Sequence, residues 1–280
     1  MIPIGLNLTS MGVESAWWLE SSRHAEQAGY SAVWCWDHFM GRGKKETPVL
    51  ECWTTLTAAA AVTSRLRVGS FINNVMNRHP AVLARMVATI ADQSGGRVDV
   101  GIGVGGNADE EAAYGIPFPP ADERIKILEE AVSVLRLLWT GGPADYDGQH
   151  FTLRDAWAYP VPSPAPRIIV GGETPAGARL AARVGGGWTT NGPDYERLLP
   201  QHLAELERVG RARTDVSHVV AVSLSREDPL EGQPLIADLA SFLGEWHEHG
   251  ADEIVVSWVR RADLPALLEA AARAGLEPPR

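Results

Sequence analysis

Ser31–Phe39 reads S-A-V-W-C-W-D-H-F and follows a helical pattern that closes at Gly29. The run is almost continuously apolar where a half-wet strand would alternate, which is the pattern of a strand covered on both faces. Such a strand would ordinarily end in a turn residue. This one ends by delivering a carboxylate and an imidazole side by side, Asp37 and His38. The C-terminal ends of buried parallel strands are where α/β barrels and open α/β sheets keep their chemistry.

Outward from that strand, the chain alternates strand and helix patterns almost from end to end. Strands are predicted at Ile2–Leu8, Ser31–Asp37, Arg67–Asn73, Arg97–Val104, Arg167–Val170, Gly187–Asn191, His218–Leu224 and Glu253–Trp258. The helical patterns that follow them include Ala16–Ala28, Thr54–Thr63, Ala81–Gln93, Asp122–Trp139, Pro175–Val184, Tyr195–Val209, Leu235–His249 and Ala262–Ala274. One stretch, Gly141–Pro166, breaks the rhythm with turn signals and a proline-rich tail, and reads as an insertion with a short hairpin between the fourth helix and strand five. Eight β/α units in 280 residues predict one (β/α)8 TIM barrel occupying the whole chain, 1–280. The rival is a doubly wound open sheet. Its dinucleotide fingerprint is missing, because Asn7-Leu8-Thr9-Ser10-Met11-Gly12 stands where three spaced glycines should follow the first strand.

Composition narrows the function classes. Apolar residues at 45% and charged residues at 21% fit an ordinary α/β protein. A net charge of −10 argues against nucleic acid and anionic membrane as partners and leaves a small molecule. Two cysteines, Cys35 and Cys52, without ligand-like spacing predict reduced structural thiols and a cytoplasmic setting. The chain opens directly on a strand pattern, and no apolar run has the length of a membrane span.

In a barrel, the residues ending each strand share one cup. They include Asn7, Asp37, His38, Ser70 through Asn74, Gly103, Gly105, Gly106, Asn107, Gly171 through Thr174, Thr190, Asn191, Ser223, Ser257 and Trp258. This set is rich in glycine and amides and poor in charge. Glycine lets a backbone approach a ligand closely, and strand-end amides hold phosphate or a polar ring. The inventory therefore suits a flat cofactor with a phosphate tail, and no metal. The histidines are scattered, no G-x-S-x-G elbow occurs, and a P-loop is absent. Plainer readings stand beside these. An aspartate after a strand is more often a cap or turn residue. Arg78-His79-Pro80 reads as a helix start, Asp109-Glu110-Glu111 as charges answering a helix dipole, and Gly101–Gly106 by itself as tight packing.

Four blocks taken together resemble the bacterial luciferase-like flavin-dependent superfamily. They are V-W-C-W-D-H-F, V-G-S-F-I-N-N with R-H-P-A-V-L-A, S-G-G-R-V-D-V-G-I-G-V-G-G-N-A-D-E-E, and I-I-V-G-G-E-T-P-A-G-A-R-L-A-A-R-V-G-G-G-W. Within the superfamily the chain is most similar to oxidoreductases that use the deazaflavin coenzyme F420, with FMN-dependent monooxygenases and non-catalytic flavin-binding relatives as alternatives. The resemblance implies a ring at the C-terminal mouth of the barrel, backed by a bulge with a non-proline cis peptide near Phe71-Ile72. It places Asp37 toward the ring and His38 toward the substrate as the catalytic residue. The cofactor phosphate would rest on Gly171, Gly172, Glu173 and Thr174, with Gly105, Gly106 and Asn107 beneath the ring or side chain. Ser70, Phe71, Ile72, Asn73, Gly103 and Asn191 complete the implied cofactor contacts. The basic loop Gly41–Lys45 reads either as a lid or as a solvated loop, and the barrel helices of such proteins often pair into homodimers. One departure is visible. Deazaflavin-dependent sugar-phosphate dehydrogenases carry a glutamate where this chain has Gly106, which argues against that particular activity.

Overall fold

A computed structural model describes residues 1–277. The first half runs β1 (Ile4–Leu8), α1 (Ser15–Gln27), β2 (Ala32–Cys35), α2 (Cys52–Val62), β3 (Arg67–Asn74), α3 (Pro80–Ser94) and β4 (Val98–Gly103). Two helices follow, α4 (Ala108–Tyr114) and α5 (Ala121–Leu138), then a hairpin of β5 (Ala144–Asp147) and β6 (Thr152–Ala156). The second half runs β7 (Arg167–Gly171), α6 (Pro175–Val184), β8 (Gly187–Asn191), α7 (Gly192–Arg208) and β9 (Ser217–Ser223). It ends with α8 (Pro234–Ala237), α9 (Leu239–Glu248), β10 (Glu253–Val259) and α10 (Leu264–Ala274). Eight strands close into a parallel barrel in the order β1-β10-β9-β8-β7-β4-β3-β2, and β5-β6 form a separate two-stranded antiparallel sheet between α5 and β7. The (β/α)8 barrel read from the sequence is the fold.

The differences from the sequence reading have local causes. The helix expected over 235–249 is two, because the Asp238 side chain accepts from Ser241 N and caps a new helix. Asp109-Glu110-Glu111 do open a helix, α4, whose extent the sequence reading leaves unassigned and which the left-handed Gly115 ends. The expected start at His79-Pro80 is as read: His79 accepts from Ala81 N, Pro80 occupies the first turn, and Gly95 closes α3 at φ 68°.

Inside the barrel, Ala32, Trp34, Phe71, Ile169, Val219 and Val255 pack together. Trp34 is the largest, and the neighbouring strands make room for it. A Cβ at Gly5 would lie 2.6 Å from Trp34 Nε1, and one at Gly69 would lie 2.6 Å from Trp34 Cε3. The N-terminal end of the barrel is closed by charge. Arg67, Arg167 and Glu253 each begin a strand and Asp99 is second in its own. Asp99 takes 2.6 Å and 3.2 Å contacts from Arg67 and Arg167, and Arg167 reaches Glu253 at 2.8 Å. β7 and β10 are not neighbours, so the last pair spans the barrel floor. Burial pushes the Asp99 carboxyl up, but Arg167 and Arg67 overcome it and hold it below the usual range. Glu253 is raised by burial and by Asp99.

Outside the barrel, His202 and His218 are fully buried in an aromatic cluster with Trp188 and Tyr195. His202 donates Nδ1–H to Ala178 O at 2.9 Å, and Tyr195 Oη lies 2.8 Å from His218 Nδ1. Neither Nε2 has a partner. Burial lowers His202 to about 4 and His218 to about 2. The native rings therefore stay neutral where unfolded histidines, near 6.5, take up protons. The unfolded chain binds more protons between about pH 4 and 6.5, so stability rises with pH across that window. Acidifying from pH 7 to 5 is expected to cost roughly 2 kcal/mol per histidine. Urea unfolding at the two pH values checks this, and a pH slope unchanged in His202→Gln/His218→Gln would contradict it.

Candidate cofactor and catalytic site at the barrel mouth

The peptide after β2 turns Asp37 back into the barrel rim, where it is buried. One carboxylate oxygen, Oδ2, accepts from Asn74 N at 3.1 Å, Asn77 Nδ2 at 3.0 Å and Arg78 Nη1 at 2.7 Å. Arg78 also holds Glu51 at 2.5 Å and Asn73 Oδ1 at 3.1 Å. Burial would weaken the Arg78 charge, but Asp37 and Glu51 more than offset that and raise its pKa. Asp37 is thus neither a helix cap nor a turn residue. It is fixed through one oxygen, while Oδ1 stays buried without a protein partner.

His38 Nδ1 lies 2.8 Å from Glu110 Oε2, across 72 residues of sequence. A carboxylate can only accept, so Nδ1 carries the hydrogen and Nε2 is the nitrogen left for a ligand. Glu110 is itself held, accepting from Phe39 N at 2.5 Å and Asn107 Nδ2 at 2.9 Å. Glu111 next to it accepts from Asn74 Nδ2 at 2.6 Å and leaves Oε2 buried and unpartnered. Both glutamates do sit in the first turn of α4, as the dipole reading has it. Only 4% and 3% exposed, they have a second role in the cavity wall. Three adjacent acids on a short helix opening behind a glycine-rich strand end were the available signal.

Asp37, His38 and both glutamates line a cavity of about 610 Å³ at the C-terminal mouth of the barrel. This is an ordinary size for a small-molecule or cofactor site. Phe71, Ile72, Asn73, Gly103, Gly105, Gly106, Asn107, Gly171, Gly172, Glu173, Thr174 and Asn191 line it too. Ser70 does not. Its hydroxyl donates to Gly101 O at 2.8 Å, and the alternation of β3 points it away from the mouth because Phe71 faces inward. The Phe71-Ile72 peptide is cis, and the β3–β4 register shifts between Ser70 and Asn73. Ile72 lies on a bed of glycines. A Cβ at Gly103 would lie 2.5 Å from Ile72 Cδ1, and one at Gly171 would collide with the same atom.

Several side chains at the mouth are already engaged. Asn73 accepts from Trp53 Nε1 at 2.9 Å, Asn191 caps α7 through Asp194 N, and Thr174 caps α6 through Gly177 N. Besides His38 Nε2, groups still open to a ligand include Asp37 Oδ1, Glu111 Oε2 and the hydroxyls of Thr189 and Thr190, these four buried and unpartnered, together with the backbone around the Thr174 cap. Buried polar groups of this kind call for a hydrogen-bonding occupant. A flat, multiply hydrogen-bonding ring on the glycine and Ile72 floor, with an anionic tail at the start of α6, fits them.

The fold and mouth define a (β/α)8 barrel protein with a cofactor-sized cup and a carboxylate-anchored histidine on its rim. Residues 10–231 match the luciferase-like monooxygenase family, and the chain belongs to that family. It is 35% identical over 210 residues to an F420-dependent glucose-6-phosphate dehydrogenase of Microbacterium testaceum (strain StLB037), covering 72% of this chain and 61% of that protein. The chain thus spans less than two thirds of that relative's length. Among solved structures, an F420-dependent secondary alcohol dehydrogenase in complex with an F420-acetone adduct superposes with a TM-score of 0.84 at 20% identity, over 98% of this chain and 99% of the other. The monooxygenase RslO1 of Streptomyces bottropensis superposes with a TM-score of 0.76 at 21% identity, over 99% and 98%. At such identities these two likenesses speak for the fold.

Proposed function

We propose that the protein is an F420-dependent oxidoreductase that exchanges a hydride between the deazaflavin coenzyme and a small organic substrate. The observation that carries this is His38, anchored by Glu110 at 2.8 Å on the rim of a cup whose floor is glycine and Ile72. The F420-dependent name of the dehydrogenase relative supports deazaflavin over FMN. F420, when bound, supplies the two-electron hydride chemistry. Asp37 Oδ1, Glu111 Oε2, Thr189 and Thr190 would hydrogen-bond its ring system, and the backbone at Gly172, Glu173 and Thr174 would hold its phosphate.

The protein's own task is then the one proton that leaves or joins the substrate oxygen as the hydride moves. With Nδ1–H bound to Glu110, His38 Nε2 takes the hydroxyl proton as an alcohol becomes a carbonyl, and returns it in the reverse direction. Glu110 fixes the tautomer and ring orientation and stabilises the imidazolium. It acts through His38, as a positioning residue. Gly106 stands where the resemblance puts a glutamate in sugar-phosphate dehydrogenases, and Glu110 supplies a carboxylate from the first turn of α4.

Turnover of F420 with a panel of secondary alcohols and ketones tests the reading, and no absorbance change with any of them would count against it. Glu110→Gln is expected to lower kcat/KM about 10- to 100-fold, as removal of a histidine's orienting carboxylate does elsewhere. Steady-state kinetics with F420 saturating would show this, and unchanged kinetics would remove Glu110 from the mechanism.

A further inference from the structure

Among the described residues lining the cavity, Arg42 is the only lysine or arginine. The other charged groups there are carboxylates, Asp37, Glu110, Glu111 and Glu173. Arg42 comes from the loop after β2, and its guanidinium carbon lies 5.5 Å from the Trp36 ring and 5.6 Å from the Trp258 ring. The two indoles are 4.8 Å apart and tilted by 53°. Trp36 also meets the edge of His38 at 5.4 Å. No hydrogen bond or ion pair joins Arg42 to another described residue, unlike Arg78, which holds two carboxylates. Trp258 adopts φ 56°, a left-handed conformation rare for a bulky residue and typical of ligand rims.

The strand order fixes what Arg42 can face. β2 and β10, which carry Trp36 and Trp258 just beyond or near their ends, flank β1. β7, whose end leads into Gly172–Thr174, is separated from β2 by β3 and β4 and from β10 by β9 and β8. The guanidinium therefore stands across the mouth from the phosphate cradle and on the same side as His38. Asp37 on the His38 side is already paired with Arg78, so an anion entering there meets the Glu110 carboxylate, and Arg42 is the cavity-lining cation that can answer it. A guanidinium packed on indoles with its N–H donors unclaimed is suited to a planar oxyanion.

We propose that Arg42, held by Trp36 and Trp258, is the substrate's anion site, and that the substrates are hydroxy acids or oxo acids whose carboxylate binds Arg42 while the carbinol or carbonyl group lies at His38. This rests on the oxidoreductase reading above and names its substrate class. The cofactor's own acidic tail is the other anion that a basic loop could meet, and the experiment separates the two.

F420 affinity is measured first, in wild type and Arg42→Ala. The F420-loaded enzyme is then titrated with a panel of 2- and 3-hydroxy acids and oxo acids, aliphatic and aromatic, each beside its neutral amide, following tryptophan fluorescence and turnover. The carboxylate is expected to bind roughly 10- to 100-fold more tightly than the amide. Arg42→Ala should erase that preference and raise KM more than it lowers kcat, while Arg42→Lys keeps part of it. Absence of a carboxylate preference throughout the panel overturns the proposal, as does a preference that survives in Arg42→Ala. A loss of F420 affinity in Arg42→Ala also overturns it and gives the arginine to the cofactor tail. If FMN binds and F420 does not, the cofactor reading fails by itself, and the same titrations on FMN-loaded enzyme still decide the role of Arg42.

Discussion

Replacing His38 with alanine is expected to lower turnover about 10²- to 10⁴-fold, the usual contribution of a positioned general acid or base. The ring is anchored through Nδ1 to a buried glutamate that is itself bonded to Phe39 N and Asn107. Nε2 is thereby presented in one tautomer and one orientation. Alanine removes the proton acceptor and leaves Glu110 with its other two donors, so folding and cofactor affinity should change little by comparison. Single-turnover kinetics with F420 bound separates these effects. A His38→Ala enzyme with wild-type turnover would mean that the proton moves elsewhere.

Asp99→Asn is expected to destabilise the barrel by about 3 kcal/mol, at the low end for breaking a buried ion pair because Arg67 and Arg167 keep partial access to water. Asp99 is fully buried and receives charge-assisted bonds from two guanidiniums on the strands either side of it. The neutral amide halves the carboxylate count on the barrel floor. Arg67 and Arg167 are left with Glu253, which only Arg167 reaches directly. Arg67 retains carbonyl partners at Gly96 and Val98. The loss should appear in urea unfolding as a lower midpoint with an unchanged slope. Because this network lies at the opposite end of the barrel from the cup, cofactor affinity under native conditions should be unaffected, and a variant as stable as wild type would contradict the account.

The barrel itself was legible because strand and helix periods differ and each β/α unit repeats them. The apolar run read as a doubly covered strand over Ser31–Asp37 is one, over the shorter span Ala32–Cys35. What the sequence could not supply was contact across distance. Glu110 looks like a helix charge until the fold brings it to His38 from 72 residues away. Arg78 looks like part of a helix start until its guanidinium is seen gripping Asp37 and Glu51. The same contact moves Asp37 out of its ordinary role as a turn residue. Ser70, which the resemblance implies as a cofactor contact, instead donates to Gly101 O outside the cavity lining, as strand alternation beside an inward Phe71 requires. The cis Phe71-Ile72 peptide had no local signal in the residues, and it was anticipated only through family resemblance.

The central claim is that the cup at the barrel mouth is built for a deazaflavin. Titrating the purified protein with F420 and separately with FMN, following ring fluorescence, tests it most directly. The account predicts saturable binding of F420 in the micromolar range or tighter, weakened by Gly171→Val, which crowds Ile72 on the floor of the cup. Saturable binding of FMN with none of F420 would contradict it.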